Sequence, residues 1–148
     1  MSNSSVAILT EHQKSQMERL VMLREYRRII TDPYVKSALS FTIEDTQEAI
    51  ARAASRLRQI GDIQVSQFSE DVSDKLVRQA SQRRGLADQI HFVVHGLQHQ
   101  LLWYERQIKA LVGDADTQAI FVALAEQARV RLERWKNLMV ELKVPPEK

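Results

Sequence analysis

Three histidines, His91, His95 and His99, recur at intervals of four residues, the spacing that brings neighbouring side chains together on one face of a helix. Imidazoles so placed can share a metal ion or flank a haem. Carboxylates offer a second possibility at Glu11 and Glu18, which flank Ser15 by about one helical turn. Other chemistries are excluded by residue type. The chain has no cysteine, hence no thiolate ligand, thiol nucleophile or disulfide. It also lacks a glycine-rich phosphate loop and a serine in a Gly-x-Ser-x-Gly context.

Helices must position these residues. Only four glycines and three prolines interrupt 148 residues rich in Ala, Leu, Gln, Glu and Arg, which predicts an all-α protein with long uninterrupted helices. A first helix is expected over about 6–30 and a second over 33–60, started by Asp32 as N-cap with Pro33 at the first helical position and ended at Gly61. The stripe of the second helix is Val35, Leu39, Thr42, Thr46, Ala49, Ala53, Leu57 and Ile60. Residues 61–85 are less regular and read as a crossover. It contains a short helix near Asp71 to Arg83, capped by Ser66 or Ser69. A third long helix over 86–112 carries Leu86, Ile90, Val93, Leu97, Leu101, Tyr104, Ile108 and Leu111 inward. After a corner at Gly113-Asp114, a fourth over 115–143 turns Phe121, Leu124, Ala128, Leu132, Trp135, Met139 and Leu142 inward.

On the third helix the histidine row lies opposite the core stripe, with Leu102 beside it and Phe92 and Trp103 flanking it. A second face holding Phe, Trp, Leu and His is most simply a packing surface. Phe92, His95, His99, Leu102 and Trp103 are therefore expected at a subunit interface, giving a homo-oligomer with a dimer favoured. Metal binding by His91, His95 and His99, or by Glu11 and Glu18, is the alternative.

The 148 residues, 44% hydrophobic, suit one domain with a substantial core. Twenty-one Lys and Arg against 19 Asp and Glu leave a net charge of +2 with the signs interleaved, which argues against a nucleic-acid surface. No window approaches eighteen apolar residues and the N-terminal apolar run spans only Val6 to Leu9. No membrane span or signal peptide is expected, and the absence of cysteine fits a cytoplasmic location.

Two helix pairs with short corners, joined by one long connection, follow the ferritin-like order of an antiparallel four-helix bundle. A faint repeat accompanies it: displaced by 82 residues, Asp32 falls on Asp114, Leu39 on Phe121 and Glu44 on Glu126. The segment WYERQIKALVGDADTQAIFVALAEQARVRLERW resembles the second half of rubrerythrin-type ferritin-like proteins, and DPYVKSALSFTIEDTQEAIARAASRL is similar to the matching helix of the first half. The resemblance implies a bundle, often dimeric or larger, and in active members a carboxylate-bridged di-iron centre with oxidase, peroxidase or iron-storage chemistry.

That centre needs one glutamate from each of two helices and Glu-x-x-His from each of the others. No Glu-x-x-His occurs in this chain. Alignment by the apolar stripes puts Thr46 and Ala49 at the ligand positions of the second helix, Ala128 and Arg131 at those of the fourth, and Ser15 and Leu97 near the single-glutamate positions. Arg19 or Arg131 is expected to stand in for the lost metal by pairing with Glu11 or Glu18 in a buried ion pair. The reading that follows is a non-catalytic, self-associating ferritin-like bundle with a degenerate metal site and no cofactor, acting in interaction or scaffolding. The alternative is a ferritin-like oxidoreductase or metal carrier holding iron or another divalent metal at a non-standard site.

Overall fold

The structure is a computed structural model in which residues 2–66 and 68–146 are described, with side chains from Ser4 onward. All regular structure among them is helical: α1 (Ser2–Ile29), α2 (Pro33–Gly61), α3 (Glu70–Ser81), α4 (Leu86–Ala110) and α5 (Ala115–Glu141). No helix among the described residues is long and apolar enough to cross a membrane.

The sequence-predicted boundaries hold closely, and the departures have local causes. α1 starts four residues earlier than expected, and its first turn is tied down by buried Ser5, whose hydroxyl donates to Asp114 Oδ2 at 2.7 Å. Asp32 caps α2 by accepting from the Tyr34 and Val35 amides at 3.0 Å. The other end of α2 closes one residue later than expected. Gly61 stays helical, and Asp62 takes the left-handed conformation (φ 52°, ψ 40°), which a short polar side chain tolerates. A Cβ on Gly61 would come within 3.0 Å of Ile63 Cδ1, so the missing side chain makes room for Ile63 to fold back. Ser69, one of the two expected caps, starts α3. α4 ends at Ala110 rather than at Gly113, its last turn finished by the Leu111 amide on Gln107 O at 2.9 Å. α5 stops where Lys143 turns left-handed (φ 58°) and the Val144 amide reaches Met139 O at 2.9 Å, the bond pattern of a Schellman cap.

The N-cap of α5 joins three helices. Asp114 accepts from the Thr117 amide and hydroxyl, from the Ser5 hydroxyl of α1, and from Arg56 Nη2 of α2 at 2.9 Å, while Arg56 Nε donates to Thr117 Oγ1 at 2.9 Å. Burial pushes the Asp114 carboxyl up, but the hydrogen bonds from Thr117 and Ser5 and the Arg56 charge outweigh it and bring the group down to about 2.

Pairwise contacts set the helix directions. α1 packs on α2, and α4 on α5, as antiparallel hairpins, and α2 also packs on α5. His12 meets Tyr104 and Tyr26 meets Phe92, so α1 opposes α4; Thr42 meets Trp135 and Arg56 meets Asp114, so α2 opposes α5. α2 and α4 therefore run the same way. After α2, a 29-residue helix of roughly 44 Å, the chain has to return along its full length before α4 can begin. Segment 62–85 makes this return, and its α3 lies against α1, burying Leu76 and Ala80.

Candidate functional site

Two apolar clusters fill the protein and a polar layer separates them. One cluster gathers Met22 to Tyr26 of α1 with Ile30 just beyond it, Val35 to Ile43 of α2, Ile90 to Leu97 of α4 and Leu132 to Met139 of α5, together with Leu76 and Ala80 of α3. The other holds Leu9, Ala49 to Leu57, Tyr104 to Leu111 and Phe121 to Ala128. Between them each long helix contributes polar side chains: His12, Gln13, Gln16 and Arg19 from α1, Thr46 from α2, Gln100 from α4 and Arg131 from α5. The apolar stripe of α1 is thus interrupted at mid-helix by buried His12, Gln13 and Gln16. Sequence reasoning concentrated on the histidines spaced by four and missed His12. The signal for it was that interruption, since Leu9, His12, Gln16, Leu23 and Tyr26 follow helical spacing.

Hydrogen bonds specify the protonation of this layer. Gln13 Nε2 donates to Ile50 O at 2.9 Å, which turns its Oε1 toward His12 Nδ1, also at 2.9 Å. Nδ1 must then carry the imidazole proton, and Nε2 accepts from the Tyr104 hydroxyl at 2.8 Å. Tyr104 in turn accepts from Gln100 Nε2 at 3.1 Å. The chain from Ile50 to Gln100 is neutral throughout. Burial lowers the His12 imidazole to about 4 and raises the Tyr104 phenol to about 12, so neither changes charge near neutral pH. With Nδ1 donating and Nε2 accepting, both imidazole nitrogens are committed, and the ring has no lone pair left for a metal ion. The Trp103, Tyr104 and Phe121 rings enclose His12, with centroids 5.4–6.0 Å away.

The expected ion pairs are arranged differently. Arg131 Nε pairs with Asp45 Oδ2 of α2 at 2.7 Å, not with Glu11 or Glu18, because α5 lies against α2 and those glutamates are exposed on α1. Gln127 Nε2 extends this link to Asp45 and Glu48 at 3.3 and 3.0 Å. Arg19 is partly buried and forms no salt bridge with Glu11 or Glu18 among the described residues. Its Nε is sealed from solvent without a hydrogen-bond partner, as is Gln16 Oε1. Burial lowers the Arg19 guanidinium, opposed by the nearby Tyr104 and Glu18.

The six positions aligned with metal ligands can now be placed. Thr46, Ala49, Leu97, Ala128 and Arg131 all line one central cavity of about 10 Å³, while Ser15 lies on the α1–α4 side. Such a space is at the threshold for a single water. Among its lining residues the one carboxylate is Asp45, already held by Arg131.

The histidine row is split. His91 Nε2 lies 2.6 Å from Pro145 O beyond the end of α5, whereas His95 and His99 are exposed with rings 4.3 Å apart. Among the described residues no three His, Cys, Asp or Glu side chains are grouped to hold a metal ion, so neither His91, His95 and His99 nor Glu11 and Glu18 assemble a ligand set. Of the expected interface residues, Phe92 and Trp103 turn inward. Phe92 packs edge-on to Tyr26 at 5.5 Å beneath Arg83 at 4.1 Å, and Trp103 joins the His12 cage. His95, His99 and Leu102, the last 53% exposed, remain on the outer face of α4. Compared with protein-family models, curated proteins and solved structures, the chain matches none.

Proposed function

We propose that this protein is a non-catalytic, self-associating four-helix bundle of ferritin-like arrangement, in which a polar layer built around the neutral His12 hydrogen-bond chain occupies the level of a di-iron centre, and that it serves as an interaction or scaffold module. One observation carries the reading: five positions aligned with metal ligands from the sequence alone converge on a single central cavity of about 10 Å³, and they are Thr, Ala, Leu, Ala and Arg. Their convergence supports the register. Their chemistry supports loss of the metal, since none is a carboxylate or imidazole and the flanking His12 has both nitrogens engaged. The up–down–down–up order of α1, α2, α4 and α5 supports the arrangement.

The outer face of α4, with Leu102 between exposed His99 and Arg106, is the surface assigned to self-association. Sedimentation across a concentration series tests this: a dimer that dissociates on dilution, and a monomer for Leu102→Glu, are expected. A parent chain that is monomeric at every concentration removes the self-association reading. Elemental mass spectrometry on untagged protein, expressed with iron, zinc and manganese offered, tests the rest. Stoichiometric metal lost in His95→Ala, or in a Glu11→Gln/Glu18→Gln double variant, would replace this reading with a metalloprotein.

A further inference from the structure

Arg19 is the cation of the polar layer that the bundle leaves without a partner, beside the equally unpartnered acceptor Gln16 Oε1. A guanidinium offers five N–H donors, and none of those on Arg19 reaches an acceptor among the described residues. Gly96 of α4 lies directly beneath it: a Cβ there would stand 3.0 Å from Arg19 Nη1. The cation is thus pressed against a helix backbone at the one position of that turn that lacks a side chain. A buried charge without a partner is costly, and evolution has many apolar residues to use instead.

Two cavities adjoin this guanidinium, of about 110 Å³ and about 190 Å³, and both are lined by Ser15 and Arg19. The smaller is walled by Met22, Leu23, Phe92, Val93 and Leu97. The larger opens past Gln16, Gln100 and Trp103. The remaining charged or titratable groups at these cavities are Glu18 on the first and Glu11, His99 and Arg106 on the second, all exposed, with neutral His12 behind them. The partly enclosed charge is therefore a single cation beside an apolar chamber. We propose that the groove between α1 and α4 binds a small monocarboxylic acid with a short apolar tail, its carboxylate on the Arg19 guanidinium and its tail among Met22, Leu23, Phe92 and Leu97.

Each part of that ligand answers an observation. A planar carboxylate matches the planar donor fork. One negative charge neutralises one cation, whereas a phosphate dianion in the smaller cavity would meet no second cation and only the Ser15 and Thr42 hydroxyls besides Arg19. Arg19 Nε is sealed, so the carboxylate approaches the Nη1 and Nη2 end. The proposal does not rest on self-association, although His99 and Arg106 of the outer α4 face also line the larger cavity.

The test is a titration of the 148-residue chain with butyrate, read by the arginine side-chain N–H signals in NMR. Butyramide serves as the uncharged isostere, acetate as the acid without a tail, and chloride as a simple anion. Expected are a saturable shift of the Arg19 signal by butyrate at millimolar concentration, no response to butyramide, and acetate and chloride each weaker by about tenfold. Gly96→Ala adds one carbon against Nη1 and should weaken butyrate by a similar factor of about tenfold while leaving the charge in place. Arg19→Met should abolish binding; should that variant fail to fold, Gly96→Ala decides. No saturable response at millimolar butyrate, equal binding of butyramide, equal binding of chloride or acetate, or full affinity in Gly96→Ala would each overturn the proposal.

Discussion

His12 is neutral in the folded protein because burial disfavours its charged form and because Gln13 and Tyr104 commit both ring nitrogens to opposite roles. Its pKa of about 4 lies below the ordinary value of 6.5, so between these values the unfolded chain binds the proton more readily. Stability attributable to His12 is therefore complete above pH 6.5 and is lost as pH falls toward 4. Denaturant titrations across that window should show a downward slope that is absent in His12→Gln. Tyr104→Phe keeps the ring but removes a hydroxyl that both donates to His12 and accepts from Gln100. Leaving those two partners unsatisfied should cost about 1–3 kcal/mol in urea unfolding at pH 7. At this scale the sequence was legible in part. Helical spacing carries a signal for which residues point inward, and at His12 that signal went unread, but spacing does not say whom they meet: Arg131 chooses Asp45 because α5 lies on α2, and no local pattern encodes that neighbour.

Helix boundaries were read more successfully, since caps are local. Asp32 and Asp114 stand 82 residues apart at equivalent starts, and each accepts from the backbone of its own helix. Their surroundings differ. Asp32 bonds two amides at a part-exposed corner, and Asp32→Ala should cost about 1 kcal/mol. Asp114, 6% exposed, also holds Ser5 and Arg56. Asp114→Ala would leave the largely buried Arg56 with only the exposed Asp116 at 4.0 Å and should cost about 3 kcal/mol at pH 7. Because the Asp114 pKa is depressed, its stabilisation is present above the unfolded value near 3.8 and disappears as pH falls through about 2. The deficit of the variant relative to the parent should shrink over that range in parallel urea titrations. At α2, Gly61 marked the end of the helix to within one residue. Asp62 took the left-handed position instead, because Gly61 is needed where Ile63 folds back.

At the scale of the whole molecule, the described residues form two hairpins and one bridging helix, and stability should be distributed accordingly. α3 rests on α1, with Leu76 and Ala80 its fully buried residues, whereas α2 and α5 bury eight each. Hydrogen exchange should therefore open α3 well before the middles of α2 and α5; equal protection would mean that α3 belongs to the same cooperative unit. Composition and apolar period by themselves determined an all-helical chain, the extents of its four long helices and the long return between the second and third, because helix formation and capping depend on residues within a few positions of one another. Tertiary structure alone decided what the helices enclose. The histidine row divides between a terminal tie and an open face, Phe92 and Trp103 turn inward, and His12 becomes the central imidazole, because these outcomes depend on the rotation and pairing of helices distant in sequence. A residue's own helix sets the direction of its side chain, but the partner it meets is supplied by another part of the chain.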